Sequence, residues 1–111
     1  MRKLAVIGSR TFTDYDLLKK ILDEYPPFIL VSGGCKGADR LSEIYIDEKG
    51  YQKIIIKPDW KRYGRGAGIR RNAEIINLAD EVVAFWSGSK GTGHSIELAQ
   101  KKGIPLRVIE F

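Results

Sequence analysis

The chain has 111 residues, with nineteen Lys and Arg against fourteen Asp and Glu, for a net charge of +5. A hydrophobic content of 43% with 30% charged residues belongs to an ordinary globular chain and excludes a disordered one. No apolar run approaches the roughly 18 residues of a membrane span, and the lone cysteine, Cys35, precludes an internal disulfide.

A single domain over residues 1–111 is expected at this length, in the cytoplasm, with no signal peptide and no membrane partner. The basic balance suits a polyanion or a phosphorylated small ligand equally.

Leu4–Ile7 is a short, apolar, β-branched-rich run that predicts the first strand. Leu17, Leu18, Ile21, Leu22 and Tyr25 follow on one helical stripe, which Thr13 and Asp16 open as a capping box. Phe28–Val31 predicts the second strand. Ala38, Leu41, Ile44 and Tyr45 predict the second helix, with Gly50 placed to end it. Ile54–Ile56, between Lys53 and Lys57, predicts a third strand. The basic, glycine-rich stretch after it reads as a long loop. A third helix runs from about Gly68 through Ile69, Ala73, Ile76 and Ala79. Val82–Trp86 predicts the fourth strand. The fourth helix runs from about Thr92 through Ile96 and Ala99, with Gly103 as its stop and Pro105 just beyond. Leu106–Ile109 predicts the fifth strand.

That alternation predicts an α/β fold, a Rossmann-like three-layer sandwich around a five-stranded parallel sheet. The nearly all-apolar first, second and fourth runs suit central strands, and the lysines beside the third suit an edge. The predicted order is 3-2-1-4-5, with a topological switch point between strands one and four.

Ligands of such sheets bind beyond the carboxyl ends of the strands, near the switch point. Glycines, hydroxyls and cations gather in the loops on that edge. The candidate ligand contacts are Gly8, Ser9 and Arg10 after strand one, and Ser32, Gly33, Gly34, Lys36 and Asp39 after strand two. Asp59 follows strand three, Arg70 and Asn72 open the third helix, and Gly88, Gly91 and Thr92 follow strand four. Glycine admits close backbone approach, helix-start N–H groups favour anions, and a guanidinium clamps phosphate with paired hydrogen bonds. Asp39 also complements the dipole of its helix, and Thr92 suits an N-cap.

Gly33-Gly34-Cys35-Lys36-Gly37 lacks the spacing of a P-loop, and no G-x-G-x-x-G follows strand one. No Cys/His cluster has metal-ligand spacing, so neither a metal nor a cofactor is expected. Cys35 reads as a small packing residue, and His94 has no identifiable catalytic partner. Trp60 and Trp86 suit either core packing or stacking on a base.

Gly8-Ser9-Arg10, Ser32–Asp39, Pro58-Asp59-Trp60, Ala67–Asn72 and Gly88-x-x-Gly91-Thr92 occur in this order across nearly the whole chain. The set resembles the SLOG superfamily, and most closely its short YspA/YpsA-related branch. That superfamily also holds Lonely Guy-type phosphoribohydrolases, molybdenum-cofactor carrier proteins and the Rossmann-like domain of the DNA-processing protein DprA. The resemblance implies a Rossmann-like domain that binds a nucleotide or nucleotide-derived ligand, and with the small size it suggests a homo-oligomer. The phosphoribohydrolases carry P-G-G-x-G-T with glutamates directly after it. Here the stretch is Trp86-Ser87-Gly88-Ser89-Lys90-Gly91-Thr92, and Glu97 lies five residues past Thr92. This departure speaks against their hydrolytic activity.

Three readings compete. The first is binding of a nucleotide-derived ligand, with a sensor as one form of it. The second is cleavage of an N-glycosidic bond, for which Asp39, Asp59, Glu74 and Glu97 supply candidate carboxylates. The third, by resemblance to DprA, is a DNA-binding module in which Lys61, Arg62, Arg65, Arg70 and Arg71 interleave with Trp60 and Tyr63, as a single-strand groove would use. The first is favoured, because it explains the loop set without a catalytic pair.

Overall fold

Leu4 and Val6 of β1 (Lys3–Gly8) join one buried cluster, and Ala5 and Ile7 join the other. Successive side chains of a strand point to opposite faces, so a strand covered on both sides must be apolar throughout. β4 (Glu81–Trp86) divides in the same way, with Val83 and Phe85 on the first side and Val82 and Ala84 on the second. β2 (Ile29–Ser32) separates Leu30 from Val31. β3 (Lys53–Ile55) and β5 (Leu106–Glu110) have no fully buried residue. In this computed structural model, which describes all of residues 1–111, the strands are parallel and ordered β3-β2-β1-β4-β5. This is the predicted order, with the lysine-flanked strand at one edge.

α1 (Tyr15–Leu22) and α2 (Ala38–Lys49) bring Leu18, Ile21, Leu22, Tyr45 and Ile46 to the first cluster. α4 (Ala67–Leu78) and α5 (Lys90–Lys102) bring Ile75, Ile76, Ile96 and Ala99 to the second. The radius of gyration is 12.8 Å. No helix is long and apolar enough to cross a membrane.

Four local expectations need correction. α1 is capped by Asp14, whose Oδ1 accepts the Leu17 N–H at 3.1 Å, so Thr13 and Asp16 form no capping box. Its helical run closes at Leu22, short of Tyr25. The stretch after β3 is not one long loop. It holds a one-turn helix, α3 (Trp60–Tyr63), and a 3₁₀ turn over Gly64–Gly66 that leads directly into α4. Asp59 starts α3 by accepting the Arg62 N–H at 3.1 Å, and Gly64 ends it at a φ of 54°. α5 begins at Lys90, so Thr92 is not its N-cap but a buried residue of the first turn.

Candidate functional site

The carboxyl ends of β1 and β4 define the switch point, and Ser9 ties the two loops there together. Its N–H donates to the Phe85 carbonyl at 2.9 Å. Its Oγ accepts the Ser87 N–H at 3.3 Å and lies 3.2 Å from Ser87 Oγ and 3.0 Å from Ser89 Oγ. One residue earlier, a β-carbon on Gly8 would stand 2.5 Å from Ala38 Cβ and 2.7 Å from the Phe85 carbonyl oxygen. Only a bare α-carbon lets the start of α2 pack this close to the end of β1.

The loop after β2 is clasped from two sides. From α2, Asp39 Oδ2 accepts the Cys35 N–H at 3.2 Å. From α4, Arg71 Nη1 donates to the Gly33 carbonyl at 3.0 Å and to Cys35 Sγ at 3.4 Å, while its Nε donates to Asn72 Oδ1 at 3.1 Å. Burial pushes the Asp39 carboxyl up to about 6, although the Cys35 N–H, Arg71, the Gly33 N–H and the Ser32 hydroxyl all favour its charged form.

A cavity of about 610 Å³ opens over these groups. Of the residues predicted from sequence, Gly8, Ser9, Arg10, Asp39, Asn72, Gly88, Gly91 and Thr92 line it together. Ser32, Gly33, Gly34 and Lys36 are not in its lining. Ser32 is wholly buried and donates to the Val6 carbonyl at 3.4 Å, and Gly33 sits under the Arg71 guanidinium. Asp59 and Arg70 line a separate groove of about 220 Å³, and Arg71 borders both spaces.

The helix starts divide according to their distance from this cavity. α1 and α3 contribute nothing to its lining, and each is capped by an aspartate. α2, α4 and α5 all supply lining residues, and none has a side-chain cap. The first N–H groups of α2 and α5 stay free for an acceptor, whereas α4 follows directly on the 3₁₀ turn and its Ala67 N–H already donates to the Gly64 carbonyl. Two guanidiniums, Arg10 and Arg71, stand in the same lining with a single carboxylate, Asp39, and no aromatic ring. Glu74, Glu97 and His94 lie outside it. Trp86 is held by its indole N–H on the Ser89 carbonyl at 2.9 Å and packs against the second core cluster.

Residues 2–63 match the family model described as the YspA, cpYpsA-related SLOG family. The chain belongs to that family. It is also 34% identical to the Gene 61 protein of Mycobacterium phage D29 over 118 residues, covering 96% of this chain and 94% of that protein. No solved structure gives a significant match. Membership of a SLOG family points, at a coarse level, to a nucleotide-related ligand.

In this SLOG chain, several lining residues were absent from the predicted contacts: Thr11, Cys35, Arg71, Ser87, Ser89 and Ser95. Ser87 and Ser89 sit in the loop after β4, and their serine content was the available signal. Arg71 carried none that set it apart from Arg70. Adjacent helical residues point about 100° apart, and only the packing of α4 decides which one turns inward.

Proposed function

We propose that this chain binds the phosphate-bearing portion of a nucleotide or nucleotide-derived ligand in the cavity at the β1/β4 switch point, and that it holds this ligand without cleaving it. The observation that carries the reading is the lining itself: two arginines and uncapped helix starts surround a space that contains one carboxylate. Arg10 and Arg71 supply charge-assisted donors, the starts of α2 and α5 supply backbone N–H groups, and the hydroxyls of Ser9, Thr11, Ser87 and Ser89 suit a sugar phosphate.

Cleavage of an N-glycosidic bond is the weaker reading. It calls for a carboxylate beside the ribose and a second group to assist the leaving base. Asp39 is the sole carboxylate in the lining, and its Oδ2 is already engaged by the Cys35 N–H. With no aromatic ring in the lining, recognition rests on the phosphosugar portion more than on the base.

Thermal melting with AMP, GMP, UMP and ribose 5-phosphate tests this. A ligand at about 100 times its dissociation constant stabilises the fold by about 2.7 kcal/mol. Protection by a phosphorylated compound, none by the matching nucleoside, and no free base released on prolonged incubation are expected. Equal protection by nucleoside and nucleotide, or steady release of base, would overturn the reading.

A further inference from the structure

Residues 57–72 hold six cations, Lys57, Lys61, Arg62, Arg65, Arg70 and Arg71, and one carboxylate, Asp59. This stretch alone carries the chain's whole net charge of +5, and the rest of the sequence is balanced. None of the six forms an ion pair; the molecule's ion pairs use Arg2, Lys49, Lys53 and Arg107. The fold sets Lys57 in the loop after β3 and the other five on α3, the 3₁₀ turn and the start of α4, and all but Arg71 are exposed. The guanidiniums of Arg62 and Arg70 lie 5.2 Å and 4.2 Å from the centroid of the Tyr63 ring, which gathers cations from two helices at one place. Lys57, Arg62, Arg70 and Arg71 border the smaller groove of about 220 Å³ along with Asp59 and Glu74. Beside them Trp60 is 57% exposed and Ile69 is 61% exposed.

We propose that this face is a second binding surface, separate from the cavity, and that its partner is single-stranded nucleic acid. Clustered, unpaired cations repel one another, and a polyanion offsets that repulsion. A run of phosphates matches cations strung along one segment, and release of counterions drives the contact. The exposed indole selects among polyanions. Unstacked bases offer flat faces to an aromatic ring whatever their sequence, whereas a duplex keeps its base faces inside and an acidic peptide has none. Tyr63 is already occupied by its two arginines, so Trp60 is the platform. The proposal does not rest on the nucleotide reading of the cavity.

The test is fluorescence anisotropy of a labelled oligothymidine of about 12 nucleotides with the intact chain, over a range of salt concentrations. Contact with four or five phosphates predicts a slope of log affinity against log salt of about −3. Arg62→Ala combined with Arg65→Ala should flatten that slope by about 1.4 and weaken binding at least about tenfold. Trp60→Ala should weaken binding about tenfold and leave the slope unchanged, a pattern that lost charge does not produce. Circular dichroism confirms that these surface variants fold. Arg10→Ala and saturating AMP should leave the oligonucleotide bound; displacement by either would place it in the cavity and overturn the proposal. Displacement by polyglutamate of equal charge at equal concentration, or no binding at low salt, would overturn it as well. If none of the phosphorylated compounds of the melting series binds, the cavity reading falls and the oligonucleotide result stands apart from it.

Discussion

Gly37 packs its bare α-carbon against the Ser9 carbonyl, at a φ of 79° that L-residues with side chains rarely adopt. A β-carbon there would collide with that oxygen and stand 2.8 Å from Arg10 Cα. The contact sets the start of α2 against the loop that carries Ser9 and Arg10. Gly50 shares the positive φ, at 73°, but its ψ of 23° puts it in the left-handed helical region, whereas Gly37 has a ψ of −131°, and nothing lies within 4 Å of the missing β-carbon of Gly50. Gly50→Ala should therefore cost about 1–2 kcal/mol, the expense of the left-handed conformation alone. Gly37→Ala should cost about 3 kcal/mol or more, because its conformation lies outside the left-handed helical region that other residues can enter and overpacking adds to that. Urea denaturation of both variants checks the difference, and equal costs would mean that the Ser9 contact relaxes freely.

Asp39 gives stability a pH dependence of unusual sign for a carboxylate. Its folded pKa of about 6 lies above the ordinary value of 3.8, so the folded state holds its proton more tightly than the unfolded chain. Its contribution is full below about pH 4 and is lost as pH rises to about 6, amounting to about 3 kcal/mol. Asp39→Asn removes the titration. The stability difference between wild type and variant should change by about 2–3 kcal/mol from pH 4 to pH 6.5, with the wild type losing ground. Asp23 and Asp80, both held below the ordinary carboxylate range, are common to both proteins and cancel in the comparison. A difference that stays flat with pH would show that Asp39 titrates normally.

Arg71 serves the fold and the cavity together. Arg71→Ala frees the Gly33 carbonyl and removes one of the two lining guanidiniums. Loss of a charged hydrogen bond is worth about 1.5–3 kcal/mol, so affinity for a phosphorylated ligand should drop about 10- to 100-fold. Arg71→Lys should recover little of it, since one ammonium cannot reach the Gly33 carbonyl, Cys35 and a ligand at once. Isothermal titration calorimetry with the best nucleotide from the melting series measures this. Full affinity in Arg71→Ala would move the anion to Arg10 alone.

Lys102 closes the far end of α4. Its Nζ donates to the carbonyls of Ile76, Asn77 and Ala79 at 2.8, 2.7 and 2.9 Å. The Ile76 carbonyl also accepts the Ala79 N–H at 3.3 Å, whereas those of Asn77 and Ala79 have no backbone donor, and a cation there also complements the dipole. Lys102→Met keeps the stem and should cost about 2 kcal/mol. Amide exchange should quicken most in the last turn of α4, while nucleotide affinity changes far less than it does in Arg71→Ala. A uniform rise in exchange across the sheet would instead mark a global effect.

The strand order was legible because burial on two faces writes itself as continuous apolar runs, and Lys53 and Lys57 marked an edge. Ser9, Arg10, Gly91 and Thr92 were legible because strand ends at a switch point are a place fixed by topology. The one-turn α3 was hidden by composition: Gly64, Gly66 and Gly68 read as a flexible loop, although Gly64 ends one helical turn and opens a 3₁₀ turn that runs straight into α4 at Ala67. The caps were hidden by crowding. Thr13, Asp14 and Asp16 all suit a helix start, and backbone geometry alone chose Asp14. Gly33 was expected to approach a ligand. Its missing side chain makes room for Arg71 instead, a contact between residues far apart in the chain that no local pattern announces.

The central strand has a consequence for how the chain is made. β1 pairs on one side with β2, close behind it in sequence, and on the other with β4, where Leu4 meets Glu81. During synthesis from the N-terminus, β1 and β2 can associate early, but the second edge of β1 stays open until β4 has emerged. That edge is Leu-Ala-Val-Ile, apolar on both faces and a template for any other strand that arrives first. The same late closure completes the switch point, since Ser87 and Ser89 reach Ser9 only when β4 docks. A nascent chain halted before β4 therefore has half a cavity and one sticky edge, and both are resolved in a single long-range step.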